Sequence, residues 1–338
     1  MKIKRNIACI ICFLLLFVTI GTGCSKKGEE AVDSNNQIAN EQVLHEDTAS
    51  EAVEENEEPS IEPSIEPSEE PTDEGNSPWK LISETNVDTS VYYAGFLNEA
   101  IGVTVGYSGA TSYTEDGGKN WSVSGNVSAC RYGLDFYDET FIVDSGNSGV
   151  NLISRDKGRT WSYLGSFLLK SGNAFNKFLS VLDTKNIYIG SSKALGVSVD
   201  GGTKWEELEL PEGCRKPAGM FFLTPEIGYL FNADGTLYKT NDSCETWTSQ
   251  TLDLSGESII TPSMPSAAIN FQDEDHGMIV YATKSFKLCC SKTEDGGSTW
   301  ETIEMPKVTG LAPYISRDGK YLTVSSQLKR ISLFKLED

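Results

Sequence analysis

Histidine is nearly absent: His45 and His276 are the only two in 338 residues. One lies in an acidic stretch and the other in a polar turn, so no histidine cluster is available for a transition metal. A Ser-His-Asp triad would have to use His276, and nothing in the sequence places it beside a nucleophile. No glycine-rich phosphate loop follows a strand, because the Gly-Gly pairs fall elsewhere, as described below. Basic residues number 28 against 49 acidic ones, a net charge of −21. With no basic stripe, electrostatic binding to DNA or RNA is not expected. No long segment carries the 3.6-residue period of an amphipathic helix. No cofactor and no metal site are expected.

The one sustained apolar run is short, Ile7 to Ile20, and follows a basic start, Met1-Lys-Ile-Lys-Arg-Asn6. It ends in Gly21-Thr-Gly-Cys24-Ser, the layout of a signal peptide rather than of a spanning helix. The cysteine after small residues resembles the bacterial lipobox, although Gly21 stands where that motif prefers an aliphatic residue. The resemblance implies acylation of Cys24, a membrane partner through that lipid, and an extracytoplasmic location at the cell membrane. Residues 1–23 are therefore read as signal and 24–78 as a tether. Residues 25–78 hold seventeen Asp or Glu against Lys26 and Lys27, with the low-complexity run Glu58-Pro-Ser-Ile-Glu-Pro-Ser-Ile-Glu-Pro. Dense like charge and few apolar residues favour a disordered, extended spacer with polyproline II stretches.

From residue 79 onward the chain is organised by one eight-residue pattern written five times: hydroxyl, any, Asp, any, Gly, any, polar, Trp. Its Asp/Trp pairs are Asp116/Trp121, Asp156/Trp161, Asp200/Trp205, Asp242/Trp247 and Asp295/Trp300, with Cys244 replacing the Gly in the fourth copy. A period near forty residues signals a repeat architecture. Within each copy the carboxylate can accept backbone N–H groups a few residues on, and the Gly suits a positive φ. The Trp is expected to begin a strand as a hydrophobic peg, offering a large surface to bury. Each Asp is thus occupied by its own turn, which makes the series scaffolding rather than a metal or catalytic site.

The pattern resembles the Asp-box (BNR) repeat of sialidases, sortilin-type receptors, some glucanases and photosystem II assembly factors. Its spacing is most similar to the assembly-factor type. The resemblance implies an all-β fold, a six-bladed β-propeller over residues 79–338. Strand patterning agrees, with four short strands per repeat. The sequence Ser316-Arg-Asp-Gly-Lys320 mimics a sixth box but lacks the Trp. The last unit then supplies three strands, and Trp79-Lys-Leu-Ile-Ser83 supplies the fourth, a 3+1 closure in which Trp79 takes the place of a box Trp. Seven blades is the alternative.

A sialidase-like glycoside hydrolase is the enzymatic alternative. That family grips a carboxylate with three arginines and carries an early Arg-Ile-Pro motif, which is missing here. Outside the signal the arginines are 131, 155, 159, 215, 317 and 330. Arg155 and Arg159 belong to a box and Arg317 to a turn, which leaves three candidates. Asp273-Glu-Asp275 reads as a solvated turn. The reading reached is a non-catalytic binding or assembly scaffold, expected as a monomer, for a protein or cell-wall glycan. Its candidate face joins Arg131, Tyr132, Phe167, Leu168, Lys170, Arg215 and Lys216, where loop apolar residues adjoin positive charge. Cys130, Cys214, Cys244, Cys289 and Cys290 are expected to be unpaired.

Overall fold

In the computed structural model the residues described are 77–337, apart from 89–90, 127–131, 145–148, 168–177, 261–264, 309 and 327–328. Cys24, Cys130, Arg131, Leu168 and Lys170 therefore lie outside the described residues, as do the signal and all but the end of the tether.

Among the described residues, short alternating segments separated by polar turns give 24 strands. The chain enters with β1 (Trp79–Asn86). Next come β2 (Val91–Phe96), β3 (Gly102–Gly106), β4 (Ala110–Thr114) and β5 (Ser122–Asn126), then β6 (Gly133–Tyr137), β7 (Thr140–Asp144), β8 (Val150–Ser154) and β9 (Ser162–Ser166). The third group is β10 (Phe178–Val181), β11 (Ile187–Gly190), β12 (Ala194–Ser198) and β13 (Glu206–Glu209), and the fourth β14 (Pro217–Phe222), β15 (Gly228–Asn232), β16 (Thr236–Thr240) and β17 (Thr248–Thr251). The fifth is β18 (Ala267–Phe271), β19 (Gly277–Ala282), β20 (Leu288–Thr293) and β21 (Glu301–Ile303), followed by β22 (Ala312–Ile315), β23 (Tyr321–Ser325) and β24 (Arg330–Leu336).

Each group is an antiparallel four-stranded sheet in sequence order, and β1 completes the last one in the order β1-β24-β23-β22. The first strands touch in the cycle β2, β6, β10, β14, β18, β22 and back to β2. The sheets therefore stand around an axis as the blades of a β-propeller, with β5, β9, β13, β17, β21 and β1 outermost. Trp79 pairs with Leu336 at the edge of the sheet and is only 2% exposed, packed with Phe334, Leu322 and Val280.

The box turns join the third and fourth strand of each blade. In four of the five the backbone N–H after the box Asp donates to the carbonyl of the first hairpin turn: Gly117 to Ala100, Gly201 to Lys185, Ser243 to Glu226, Gly296 to Asp275. First hairpins and boxes thus share one face. The links between blades and the middle hairpins occupy the other.

Each box is wired alike. Asp116 Oδ1 accepts the Thr114 hydroxyl and the Asn120 N–H, both at 2.9 Å, while Thr114 Oγ1 accepts the Gly118 N–H at 3.0 Å. Asp156, Asp200, Asp242 and Asp295 repeat the arrangement. These hydrogen bonds hold the carboxyls below the usual carboxylate range, Asp116 at about 2. Two consecutive residues, not one, take positive φ, as at Gly117 (76°) and Gly118 (85°). Lys157, Ser243 and Cys244 occupy such positions without being glycine, at a cost of roughly 1–2 kcal/mol each.

The box tryptophans correct the expectation of buried pegs that begin a strand. Trp121, Trp161, Trp205, Trp247 and Trp300 each stand one residue before the fourth strand of their blade, and all five are only partly buried. The fourth strand is the outermost, so an indole beside it meets protein on one side and solvent on the other. What these rings do is seal the seam to the preceding blade. Trp121 packs on the cluster that joins Leu333 of the closing sheet to Phe96, whose ring it meets edge-on at 5.8 Å between centres. Trp161 Nε1 donates to Ser124 Oγ at 3.0 Å, and Trp205 stacks on Phe167 with ring centres 5.1 Å apart. Trp247 lies against the cluster built on the stacked pair Tyr188 and Phe222, and Trp300 against the one built on Tyr229 and Phe271. Each of those pairs bridges two neighbouring blades.

Candidate functional site

The inner strands converge on an axial channel lined by Tyr93, Leu134, Phe178, Met220, Phe221, Ala268 and Ile315 among others. Apolar side chains are the more numerous in this lining, although polar groups make up more of its exposed surface. The exception is a polar cluster at the box-face end. Asp135, 8% exposed, receives the Val181 N–H at 2.7 Å on Oδ2 and the Tyr314 hydroxyl at 3.2 Å on Oδ1. Arg317 reaches in from the first hairpin of the closing blade. Its Nη1 donates to the Phe222 carbonyl at 3.1 Å and its Nη2 to Ser180 Oγ at 3.3 Å, and Nη2 stands 3.8 Å from Asp135 Oδ2. The guanidinium also lies over the Phe221 ring, 4.9 Å from its centre. One side chain from the closing blade therefore ties down the second, third and fourth.

Two local features make this possible. Gly95 stands between Tyr314 and Phe136, where an added Cβ would come within 2.6 Å of the Phe136 ring and 3.0 Å of Tyr314. The missing side chain leaves Tyr314 room to cross the first blade to Asp135. Polar residues of the inner strands also bond to the next blade: Asp135 to Val181, Ser180 Oγ to the Phe222 N–H at 3.0 Å, and Asn270 Nδ2 to the Ser316 carbonyl at 3.0 Å. Burial pushes the Asp135 carboxyl above the ordinary range, while Arg317 and the donated hydrogen bonds pull the other way. Burial and the nearby carboxylate raise Tyr93 and Tyr314 too. The space left is about 40 Å³, room for a few waters and too little for a sugar ring.

Arg317 is thus not confined to a surface turn, as the sequence suggested. Sequence reasoning missed it together with Asp135, although a carboxylate inside Gly-Leu-Asp-Phe136, where strands of this kind are apolar, was the available signal. Other described arginines stay outside. Arg159 pairs with Glu115 at 2.6 Å and Arg330 with Glu84 at 2.9 Å. Among the described residues no three arginines converge on a pocket.

The described members of the expected binding face, Tyr132, Phe167, Arg215 and Lys216, do not form one patch. Phe167 is a seam residue: besides Trp205 it covers Gly196, where a Cβ would lie 2.2 Å from its ring. Tyr132 precedes β6, whereas Arg215 and Lys216 precede β14, with the third blade between them. Arg215 borders an open groove of about 700 Å³ beside β13, but Glu207 and Glu209 line it as well as Lys193, so its charge is mixed. Cys214, Cys244, Cys289 and Cys290 are free thiols. Among the described residues no group of acidic, Cys and His side chains could hold a metal.

Charge separates the two faces. First hairpins and boxes together carry seventeen Asp or Glu and eight Lys or Arg, and the rest of residues 79–338 balances to neutrality. Toward the link face three tyrosines make contact. Tyr92 stacks on Tyr132 with ring centres 5.7 Å apart and planes within 10°. Tyr107, 58% exposed, meets Tyr92 edge-on at 6.2 Å. No sequence period marks this trio, since its members come from three different segments.

No protein-family model matches the chain, and no curated protein matches it. Solved structures do. The WD40 repeats of RRP9 share 11% identity over 77% of this chain and 97% of that one, with a TM-score of 0.56. A streptogramin B lyase shares 11% over 77% and 98%, TM-score 0.52, and YCF48 bound to D1 peptide shares 14% over 77% and 96%, TM-score 0.48. The first two, with TM-scores above 0.5, establish at such identities the propeller fold alone. Chemistry must come from the site, because one fold hosts both enzymes and scaffolds.

Proposed function

We propose that the chain is a lipid-anchored bacterial surface protein whose six-bladed propeller is a non-catalytic binding or assembly scaffold. Cys24 carries the lipid, residues 24–78 are the spacer, and residues 79–338 present the link face to a protein or cell-wall ligand at the extracytoplasmic side of the membrane. The observation that carries this reading is the axial cluster. The one described arginine that enters the channel is already held by Asp135, Ser180 and the Phe222 carbonyl. A carboxylate-gripping glycosidase needs that charge open to substrate and two more beside it. The point of entry agrees: Trp79 stands at the box-face rim, where Ser83 Oγ bonds the Gly117 carbonyl of a box at 2.7 Å. The described chain therefore begins on the box face, opposite the link face.

Two variants of the full-length protein test the reading. Cys24→Ser is expected to leave the membrane fraction for the soluble one. Arg215→Glu/Lys216→Glu is expected to reduce partner capture from surface extract about tenfold, roughly 1.4 kcal/mol, with Tm unchanged. Unaltered capture would remove charge from the recognition, and a Cys24→Ser protein still sedimenting with membranes would remove the anchor.

A further inference from the structure

A phenylalanine stands where the fold least favours one. Residues 283–287 form the middle hairpin of the fifth blade, between β19 and β20, and lie toward the link face. The hairpin closes through the Phe286 N–H to the Thr283 carbonyl at 3.0 Å and the Thr283 N–H to the Lys287 carbonyl at 2.8 Å. The third tip position of such a loop takes a left-handed backbone and suits Gly or Asn. Phe286 occupies it at φ 62°, the one aromatic among the described non-glycine residues at positive φ, and is 73% exposed. Strained backbone and bare ring both count against the isolated folded chain. We propose that Phe286, with Lys284 and Lys287, is a wedge that docks the propeller on an anionic lipid surface. The inference goes beyond the scaffold reading and rests on its membrane anchor. One ring and two lysines hold a bilayer only marginally unless a second attachment keeps the chain there.

Three observations favour a bilayer as the occupant. First, the ring is isolated: the other large apolar residues exposed among the described ones, such as Leu81, Val123 and Tyr163, lie outside the fifth blade. A protein contact centres on a packed patch with its anchor in a shaped pocket, whereas the interfacial zone of a bilayer accepts a ring without a matching cavity. Second, the ring is flanked by positive charge. Lys284 and Lys287 are exposed and stand in no salt bridge among the described residues. The carboxylate that touches the tip, Glu257, accepts the Ser285 hydroxyl at 2.8 Å. Lysine stems can follow the ring into the interface while their ammonium groups meet lipid phosphates. Third, the tip is braced. Besides the Glu257 bond, the Lys284 N–H donates to the Ser258 carbonyl at 2.7 Å, and Thr283 is fully buried. One hairpin is a point contact, which tips the disc onto the fifth blade and leaves Arg215 and Lys216, before β14, open to a ligand.

The test floats full-length protein on vesicles that mix phosphatidylglycerol with phosphatidylcholine brominated near the top of its acyl chains. In Phe286→Trp the added indole emission is expected to be quenched, relative to the original protein, whose six tryptophans all lie off this tip. Adding Lys284→Glu/Lys287→Glu should weaken docking about tenfold or more, and raising salt from roughly 0.05 to 0.5 M should weaken it too. Phe286→Gly, which suits the turn, should keep or raise Tm in solution. Quenching that is equal in the Lys→Glu variant, or equal on vesicles of phosphatidylcholine alone, overturns the proposal. So does a lower Tm in Phe286→Gly, because the ring would then be packing. Protein that floats with an unquenched indole keeps its anchor and loses only the wedge, leaving the ring to a protein partner. Protein that does not float at all overturns the anchor, and the docking with it.

Discussion

Replacing Arg317 with alanine should lower the stability of the propeller by about 3–5 kcal/mol, the usual cost of stranding one member of a buried ion pair. At roughly 2–4 °C per kcal/mol for a domain of this size, Tm falls by on the order of 10 °C. Asp135 would keep its Val181 and Tyr314 hydrogen bonds but lose the guanidinium beside it. Replacing both partners, Asp135→Leu with Arg317→Met, should return stability close to the starting protein or above it, since an apolar pair needs no desolvation of charge. The pH dependence has a definite sign. Burial raises the Asp135 pKa in the folded state, so the stability this group contributes is full below its unfolded pKa and is lost as pH rises through its folded one. Removing Arg317 removes an influence that lowers that pKa, so the loss grows. The Tm gap between Arg317→Ala and the original protein should be wide at about pH 7 and should narrow toward about pH 5 in calorimetry. A small gap independent of pH would show that the guanidinium is not paired across the axis.

Trp79→Ala should cost a similar amount, about 3–5 kcal/mol, the range for emptying a large buried aromatic site. Trp79 is 2% exposed and begins β1, which pairs only with β24. The variant leaves a cavity against Phe334 and Leu322 and loosens the strand that completes the closing blade. Hydrogen exchange should accelerate first in β1 and β24, while β10 to β13, on the far side of the ring, keep their protection relative to the lowered global stability. Uniform acceleration across all blades would contradict a closing role for this strand.

How legible each part was follows from how local its physics is. The box is written in eight consecutive residues, and its hydroxyl, carboxylate and glycine bond to one another, so the turn could be derived from spacing alone. Its tryptophan could not be placed as well. Trp121, Trp247 and Trp300 read as core pegs, but their depth is set by the outer edge of one blade and the flank of another, and both lie outside the motif. The role of Trp79 was readable, because Trp79-Lys-Leu-Ile repeats the strand that follows each box. Arg317 was not. Its turn looks like any polar hairpin, and only the crossing of the axis to Ser180 and Phe222, distant in sequence, gives it a partner. Phe167, an apolar residue in a link, reads equally as a contact site or as a cap on the core, and only Trp205 and Gly196 beneath it show its packing. Tyr132 was singled out for its loop, but the ring that gives it a partner, Tyr92, lies in strand β2 of the preceding blade.

The proposed scaffold role requires that the propeller axis, which the protein's own side chains occupy, carry out no catalysis. The most direct measurement is hydrolysis of a panel of fluorogenic glycosides by the purified full-length protein, followed to many equivalents of product. The expected result is no turnover above the rate without protein. Turnover that disappears when a single carboxylate such as Asp135 is changed to asparagine, in a variant that still folds, would contradict it.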